Sequence, residues 1–221
     1  MSIDRIKSDI EDELSWDTRV NSGDIEVKVD SNGTVELTGS VPTFTAKRAA
    51  EEDIQALKEI KTVKNELKVL YPAAQRPPKD KEVAKRVRSS LSATTDVNEA
   101  DLEVSVNSGY VTLSGHVDAY WKKIKAENVA AEVTGVIDIV NEIEVIPAKD
   151  RGDKTIEDDI IATLHRSAFV DPDNVNVEVK EGTVSLSGTV KNWKAHDAVI
   201  RASTFTAGVT EVNDDLVMRM P

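Results

Sequence analysis

A nine-residue pattern occurs three times in this chain of 221 residues. It reads GTVELTGSV at 33–41, GYVTLSGHV at 109–117 and GTVSLSGTV at 182–190. The copies start 76 and then 73 residues apart, which is too long for the stacked unit of a solenoid and suits a small independent domain. We therefore predict three tandem domains. They span 1–72, 80–147 and 153–221, joined by a proline-rich linker at 73–79 and a shorter one at 148–152.

The residues around each copy predict the same order of elements, α-β-β-α-β. An apolar stripe at i, i+4 and i+8 is typical of an amphipathic helix, and the alternation that follows it is typical of a half-buried strand. The nine-residue pattern is the second strand, and a second helix and a third strand come after it. The predicted fold class is α+β, an α/β sandwich with two helices on a three-stranded sheet, and the strand order stays open. The helix stripes are Ile6, Ile10 and Leu14, then Val83, Val87 and Leu91, then Ile156, Ile160 and Leu164.

Eight glycines are predicted to be structural. Those in the hairpin turn supply a positive φ, those inside the second strand let a helix backbone approach or form a bulge, and those after the second helix end it. Copy one has Glu59 in place of the last glycine, which predicts a differently closed end. The three groups are Gly33, Gly109 and Gly182, then Gly39, Gly115 and Gly188, then Gly135 and Gly208.

A polar residue interrupts the apolar face of each third strand, at Asn65, Asn141 and Asp214. Such a residue can belong to a ligand site or can satisfy the backbone of a neighbouring loop. We favour the second interpretation, because amide and carboxylate side chains commonly bond to nearby backbone groups.

The formal net charge is −12, and the acidic excess is spread over all three copies. Without a basic tail or stripe, the chain is not expected to bind nucleic acid. It contains no cysteine, which excludes disulfides and thiolate chemistry. No stretch reaches the roughly 20 apolar residues of a membrane span. The opening residues MSIDRIK lack the apolar segment of a secretory signal, so we expect a cytoplasmic location.

The second helix is followed by a further pattern, GVIDIVNEI at 135–143 and GVTEVNDDL at 208–216, of which copy one retains VKNEL at 63–67. Together with the nine-residue pattern, it resembles the BON domain (bacterial OsmY and nodulation), also called transport-associated. The resemblance covers essentially the whole chain. It implies a bacterial, often periplasmic or envelope-linked protein, tied to osmotic or other stress, with a lipid- or ligand-binding role and no catalytic residue. It also implies a possible link to cations, because a relative that pairs this domain with a LysM domain senses potassium.

The candidate contact surface lies at the start of the second helix of copy two. Aromatic rings beside lysines suit the headgroup boundary of an anionic membrane. Alternatively, the aligned Phe44, Tyr120 and Trp193 cover the edges of their own cores and the lysines are solvated, which leaves only Trp121 unexplained. The candidate residues are Tyr120, Trp121, Lys122, Lys123 and Lys125, with a weaker counterpart at Trp193 and Lys194.

Trp16 stands where the other copies have Ala93 and Arg166. It is a candidate for contact with another domain or a partner, but packing against its own helix is the favoured interpretation.

The predicted function is that of a non-enzymatic, stress- or envelope-associated protein that binds anionic phospholipid or an envelope protein. Copy two is the copy expected to contact the ligand. The alternative is a cytoplasmic protein that binds or senses K⁺ or Ca²⁺. No cofactor or metal site is expected, because His116, His165 and His196 lie in different elements and the acidic runs lack the spacing of an EF-hand. The oligomeric state is not indicated.

Overall fold

Each repeat contains its helices and strands in the predicted order, in a computed structural model that describes residues 3–57, 60–71, 77–97 and 101–219. The predicted α+β class is confirmed. Repeat one consists of α1 Ile3–Trp16, β1 Ile25–Val29, β2 Thr34–Val41, α2 Phe44–Ala56, β3 Thr62–Asn65 and β4 Lys68–Val69. Repeat two consists of α3 Asp80–Ser92, β5 Leu102–Asn107, β6 Tyr110–Val117, α4 Tyr120–Ala131 and β7 Asp138–Val145. Repeat three consists of α5 Asp153–His165, β8 Val175–Lys180, β9 Thr183–Val190, α6 Trp193–Thr204 and β10 Glu211–Met218.

The second strand is central in every sheet. The orders are β1-β2-β3, β5-β6-β7 and β8-β9-β10, and β4 also pairs with β2. In repeat three the first two strands form an antiparallel hairpin and the third runs parallel to the second, in a register that places Val184 beside Val212. The parallel pair requires a crossover, which the second helix provides. The third strand of repeat one is interrupted at Glu66 and Leu67.

The predicted apolar stripes of the first helices are buried, except that Ile6 is only partly buried. The second helices face the sheets mainly with small residues. Ile156, Ile160 and Leu164 are at most 1% exposed. Only 4% of the residues in the chain are aromatic, so few large side chains are available to fill a gap between helix and sheet. Small side chains let the helix lie close to the sheet, which avoids such a gap. The buried alanines of the second helices are Ala46, Ala49 and Ala50, then Ala126, Ala130 and Ala131, then Ala195 and Ala202.

The glycine inside each second strand is needed for a close backbone contact with the turn before the first strand. In repeats one and three this turn is a short 3-10 helix, Ser22–Asp24 and Pro172–Asn174. A Cβ at Gly39, Gly115 or Gly188 would lie 2.0, 2.1 or 2.2 Å from a carbonyl oxygen of the residue just before the first strand. Their φ angles of +113°, +111° and +114° also favour glycine. The expected close backbone approach is found, but it comes from this short turn rather than from either α-helix of the repeat.

The glycines after the second helices do not end those helices directly. α4 ends at Ala131 and α6 at Thr204, several residues before Gly135 and Gly208. A Cβ at Gly135 would lie 2.5 Å from Val83, and one at Gly208 would lie 2.9 Å from Ile156. These glycines therefore make room for the first helix, and their prediction as helix stops is wrong. Glu59 lies outside the described residues.

The hairpin turns of repeats two and three are held by a carboxylate from the first helix. Both turn residues have positive φ, 54° and 83° at Ser108 and Gly109, as in a type I′ turn. Their backbone N–H groups donate to Asp80 at 2.9 and 3.0 Å. Glu181 and Gly182 donate to Asp153 at the same distances. In repeat one Asp30, from the hairpin itself, accepts from the backbone N–H of Asn32 and Thr34.

The described residues divide into two compact units. The first takes its residues from 1–90, 104–112 and 128–140, and the second from 91–103, 113–127 and 141–221. The middle repeat therefore contributes to both units.

Substituting Gly188→Ala should strongly destabilise repeat three. The new Cβ would collide with the carbonyl oxygen of Asn174 and force a residue other than glycine into positive φ, so we expect a loss of about 2–3 kcal/mol in the free energy of unfolding. Urea unfolding followed by circular dichroism measures it. Gly152→Ala is the matched control, because its Cβ meets nothing within 4 Å. Equal unfolding midpoints for the two variants would contradict the close contact.

Removing the carboxylate that holds a hairpin turn should also be costly. Asp153→Ala leaves two backbone N–H groups without their acceptor, which predicts a loss of about 1–3 kcal/mol. Native-state hydrogen exchange at Glu181 and Gly182 measures the local opening. Asp158→Ala is the control, because its ion pair with Lys154 is exposed and such pairs contribute little. Equal hydrogen-exchange rates at Glu181 and Gly182 in the two variants would disprove the role of Asp153.

Candidate functional site

The first turn of α4 is attached to repeat three, within the second unit. The Trp121 ring stacks on Phe205 with centroids 6.4 Å apart and an interplanar angle of 23°. Tyr120 is half-buried against the core of repeat three. Burial raises the pKa of the Tyr120 hydroxyl, which also hydrogen-bonds to the backbone of Val212. These two predicted contact residues therefore already have partners inside the chain.

The three aligned aromatic residues pack on the cores of repeats one and three. Phe44 packs on the core of repeat one and Trp193 on that of repeat three, as the alternative interpretation expected. Tyr120 packs on the core of repeat three, a contact that this interpretation did not include. The Trp193 ring also meets the ring of His196 edge-on, with centroids 4.9 Å apart.

The lysines beside Trp121 are largely engaged. Lys122 forms an ion pair with Asp118 at 2.7 Å and Lys125 pairs with Asp96, which lowers the pKa of Asp96. Their Nζ atoms lie 5.6 and 5.8 Å from the centroid of the Trp121 ring. Lys123 is half-buried, and its carbonyl accepts a hydrogen bond from Asn141. Two of the three lysines on this surface are therefore already paired with carboxylates, and its contact with lipid or a partner stays a prediction.

An open groove lies in repeat three, between the end of α5 and α6. Its volume is about 580 Å³. Two aromatic rings line it and are unusually accessible, Phe169 at 52% and Phe205 at 59% exposed. Three cations, Arg166, Lys194 and Arg201, share the lining with the carboxylate of Asp197. We call these six residues the repeat-three groove.

The cations of the repeat-three groove lie against its rings. Lys194 Nζ is 4.0 Å from the centroid of Phe169, and the guanidinium carbon of Arg201 is 5.5 Å from that of Phe205. Arg166 donates to the Thr163 hydroxyl at 3.0 Å. Within the described residues none of these cations forms an ion pair with a carboxylate. The groove therefore presents positive charge and apolar rings together.

In the other repeats, the residue aligned with Phe169 is charged and is paired with an opposite charge. The residue aligned with Phe169 is Arg19 in repeat one, which bonds to Asp17, and Asp96 in repeat two, which pairs with Lys125. A large apolar residue at a loop position that is charged in both other copies was the signal that sequence reasoning missed. Of the groove residues, only Lys194 was among the predicted candidates.

The polar residues of the third strands satisfy backbone groups, and that prediction is confirmed. Asn65 and Asn141 accept from the N–H two residues later at 3.3 Å and donate to a carbonyl of the second helix. Asp214, which has no donor, accepts from Leu216 and meets His196 Nε2 at 2.6 Å. Repeat three therefore replaces an amide-to-carbonyl bond with a carboxylate–histidine contact.

Three further expectations concern the surface. Trp16 is 79% exposed, so packing against its own helix is wrong. No group of three or more histidine, cysteine or acidic residues within the described part of the chain is arranged to hold a metal ion. None of the described helices is long and apolar enough to cross a membrane.

A model of the BON domain family matches residues 2–71, 79–147 and 152–220. The chain belongs to the BON domain family. The three matches cover almost all of the sequence, so the resemblance predicted from the glycine patterns is confirmed.

Two relatives are similar to this chain over part of its length. The osmotically-inducible protein Y of Escherichia coli strain K12 is 29% identical over 143 residues, which are 62% of this chain and 71% of that protein. An uncharacterized protein of Anaplasma centrale, from the gshII 5' region, is 32% identical over 118 residues, which are 51% of this chain and 78% of that protein.

Among solved structures, CdsD of the type III secretion system of Chlamydia trachomatis is 17% identical to this chain, with a TM-score of 0.27. The comparison covers 98% of this chain and 93% of that one. A TM-score this low does not indicate a shared arrangement.

Trp121 and Phe205 should stabilise the second unit jointly. In a double-mutant cycle of Trp121→Ala and Phe205→Ala, we expect a coupling of about 0.5–1.5 kcal/mol in the free energy of unfolding, because the two rings stack. Urea unfolding of the four proteins measures the coupling. The control cycle combines Trp121→Ala with Val217→Ala, because Val217 is exposed. The effects of these two substitutions should add within about 0.5 kcal/mol. Additivity in both cycles would rule out the stacking contact.

Proposed function

We propose that this chain is a non-enzymatic binding protein that uses the repeat-three groove to contact anionic phospholipid. In this groove, exposed phenylalanine rings lie against cations that lack carboxylate partners among the described residues, and this observation is the main support for the proposal. A phospholipid offers the matching chemistry, because its phosphate is anionic and its glycerol and acyl region is apolar. Trp121 borders the groove through its stack on Phe205, and an indole ring favours the membrane interface.

Because the chain as a whole is negatively charged, the positive charge of this groove is needed for attachment to an anionic surface. A protein of net charge −12 is repelled by an anionic surface as a whole, so attachment depends on local positive charge with an apolar contact. Each lysine or arginine near such a surface contributes about 1 kcal/mol, so three cations contribute about 3 kcal/mol. Full burial of a phenylalanine contributes about 1.5–3 kcal/mol, and the two rings are already half-covered. We therefore expect weak, salt-dependent binding through one groove.

The non-enzymatic part of the proposal has separate support. The lining of the groove contains no histidine or cysteine, and its cations outnumber its single carboxylate. That set of side chains is suited to holding an anion rather than to transferring protons or forming a covalent intermediate. The similarity to an osmotically-inducible protein supports a role under osmotic stress.

The groove shifts the favoured ligand contact from copy two to copy three. In copy two the lysines are paired with Asp96 and Asp118, whereas in copy three Lys194 and Arg201 face phenylalanine rings. The cytoplasmic location expected from the sequence stays a prediction, and the lipid test does not depend on it.

Vesicle flotation tests the proposal. The full chain should float with vesicles of phosphatidylglycerol and phosphatidylcholine and not with phosphatidylcholine alone. Binding should weaken as salt is raised from 50 to 300 mM, conditions chosen because screening acts within a Debye length. The double variant Lys194→Ala/Arg201→Ala should lower binding by about tenfold or more, since it removes about 2 kcal/mol of attraction. Phe169→Ala should weaken binding at every salt concentration.

The matched control is Lys149→Ala/Lys180→Ala. Both lysines are exposed, neither lines the groove, and the change in net charge is the same. Equal loss of binding in the two double variants would mean that the groove has no special role. If the wild-type chain does not float with anionic vesicles at low salt, the lipid proposal is overturned. If it floats but only Trp121→Ala reduces binding, the contact lies on α4 instead.

A further inference from the structure

Repeat one contains two neighbouring carboxyl groups and one guanidinium where α2 meets the turn that follows α1. The Arg19 side chain donates to Asp17 through Nε at 2.8 Å and through a terminal nitrogen at 2.6 Å, and the backbone N–H of Arg19 donates to the same carboxylate at 2.7 Å. Arg19 is therefore committed to Asp17. The carboxyl of Asp53, on α2, lies no closer than 3.8 Å to Arg19.

Asp53 occupies a position that is apolar in the other repeats. Its counterparts on the second helices are Val129 and Ala202, and Ala202 is buried. The Asp53 side chain is only 13% exposed. Its Oδ2 atom is buried and has no hydrogen-bond donor within the described residues. An ionised carboxylate in this place leaves a buried oxygen unsatisfied, which is costly.

A proton on Asp53 removes that cost. The protonated carboxyl becomes a donor, and the ionised carboxylate of Asp17 is the acceptor beside it. The other charges facing Asp53 make its ionised form worse, because Glu13 on α1 adds further negative charge and Arg19 only partly offsets it. Glu52, on the same helix as Asp53, faces Arg19 rather than supplying a donor.

We propose that Asp17 and Asp53 share one proton and so form a clasp that fastens α2 to the turn after α1 in the first repeat. The pair has no counterpart in repeats two and three, where the aligned residues of the second helix cannot ionise. The proposal is independent of the repeat-three groove and of any lipid. It concerns a local opening of repeat one that increases when the shared proton is lost.

The direction of the pH dependence follows from the two carboxyl groups. Burial first, and then the charge of Asp17, raise the pKa of Asp53 to about 6, whereas the bonds from Arg19 lower the pKa of Asp17. Because folded Asp53 holds its proton more tightly than in the unfolded chain, its stabilising effect is complete below about pH 4. It is lost as the pH rises through about 6. Asp17 acts in the opposite sense, and its contribution is lost only in stronger acid.

Hydrogen exchange of the full chain between pH 5 and pH 7.5 tests the clasp, with each rate corrected for its intrinsic pH dependence. Peptides from α1 and α2 of the wild type should open at least about fivefold more often at pH 7 than at pH 5. A pKa raised from 3.8 to about 6 permits a change of about tenfold between these two pH values. Asp53→Asn supplies a permanent N–H donor to Asp17. It should open as rarely at pH 7 as the wild type does at pH 5, with little change over the range.

The comparison between wild type and Asp53→Asn cancels the pH dependence of other groups. Asp53→Val, which copies the residue of repeat two, should also show a flat profile. A carbon-13 titration of the Asp53 carboxyl in the wild type serves if the variants fold poorly. Identical pH profiles for wild type and Asp53→Asn, or a carboxyl midpoint below pH 4.5, would overturn the proposal.

Discussion

A three-stranded sheet can bury only one face with two helices, and this constraint governs every repeat of the chain. Each repeat has few residues to build a core, and the chain has few aromatic residues to fill one. The helices must therefore lie close to the sheet, which alanines on the second helix permit. The same close packing explains the glycine inside the central strand, since the backbone of the turn before the hairpin contacts it directly. Where backbone meets backbone at this distance, no side chain can be added without displacing a strand.

The same constraint leaves one junction at the edge of the core in each repeat, where the loop after the first helix meets the second helix. The three copies treat this junction differently. Repeat one closes it with Arg19 bonded to Asp17 beside Asp53, and repeat two with Asp96 paired to Lys125. Repeat three places Phe169 there against Lys194, which leaves the cation available to an outside anion. One scaffold thus carries a proton-binding pair, an ordinary ion pair and an open groove, because the junction is outside the core and its residues are free to vary.

Membership of the BON domain family accounts for the parts that the copies share. The family patterns fall on the central strand, on the close glycine contacts and on the polar residue of the third strand, all of which serve folding. Arg19, Asp96 and Phe169, which separate the copies at the loop after the first helix, lie outside those patterns. Any difference in ligand between the three copies is therefore expected to come from such positions, since the shared geometry supplies only the frame that holds them.

The sequence by itself determined the three repeats, the order of their elements and the buried faces of their helices, because periodic apolar residues report directly on local structure. It also indicated that glycine was needed in the central strand, but not what approached it, since that neighbour is distant along the chain. Only the tertiary structure showed that Tyr120 packs on another repeat, that Lys122 and Lys125 are already paired, and that Trp16 is exposed. The repeat-three groove joins Arg166 and Phe169, near the end of one helix, to Lys194, Arg201 and Phe205 on and after another. No local pattern links these residues, because the fold alone brings them together.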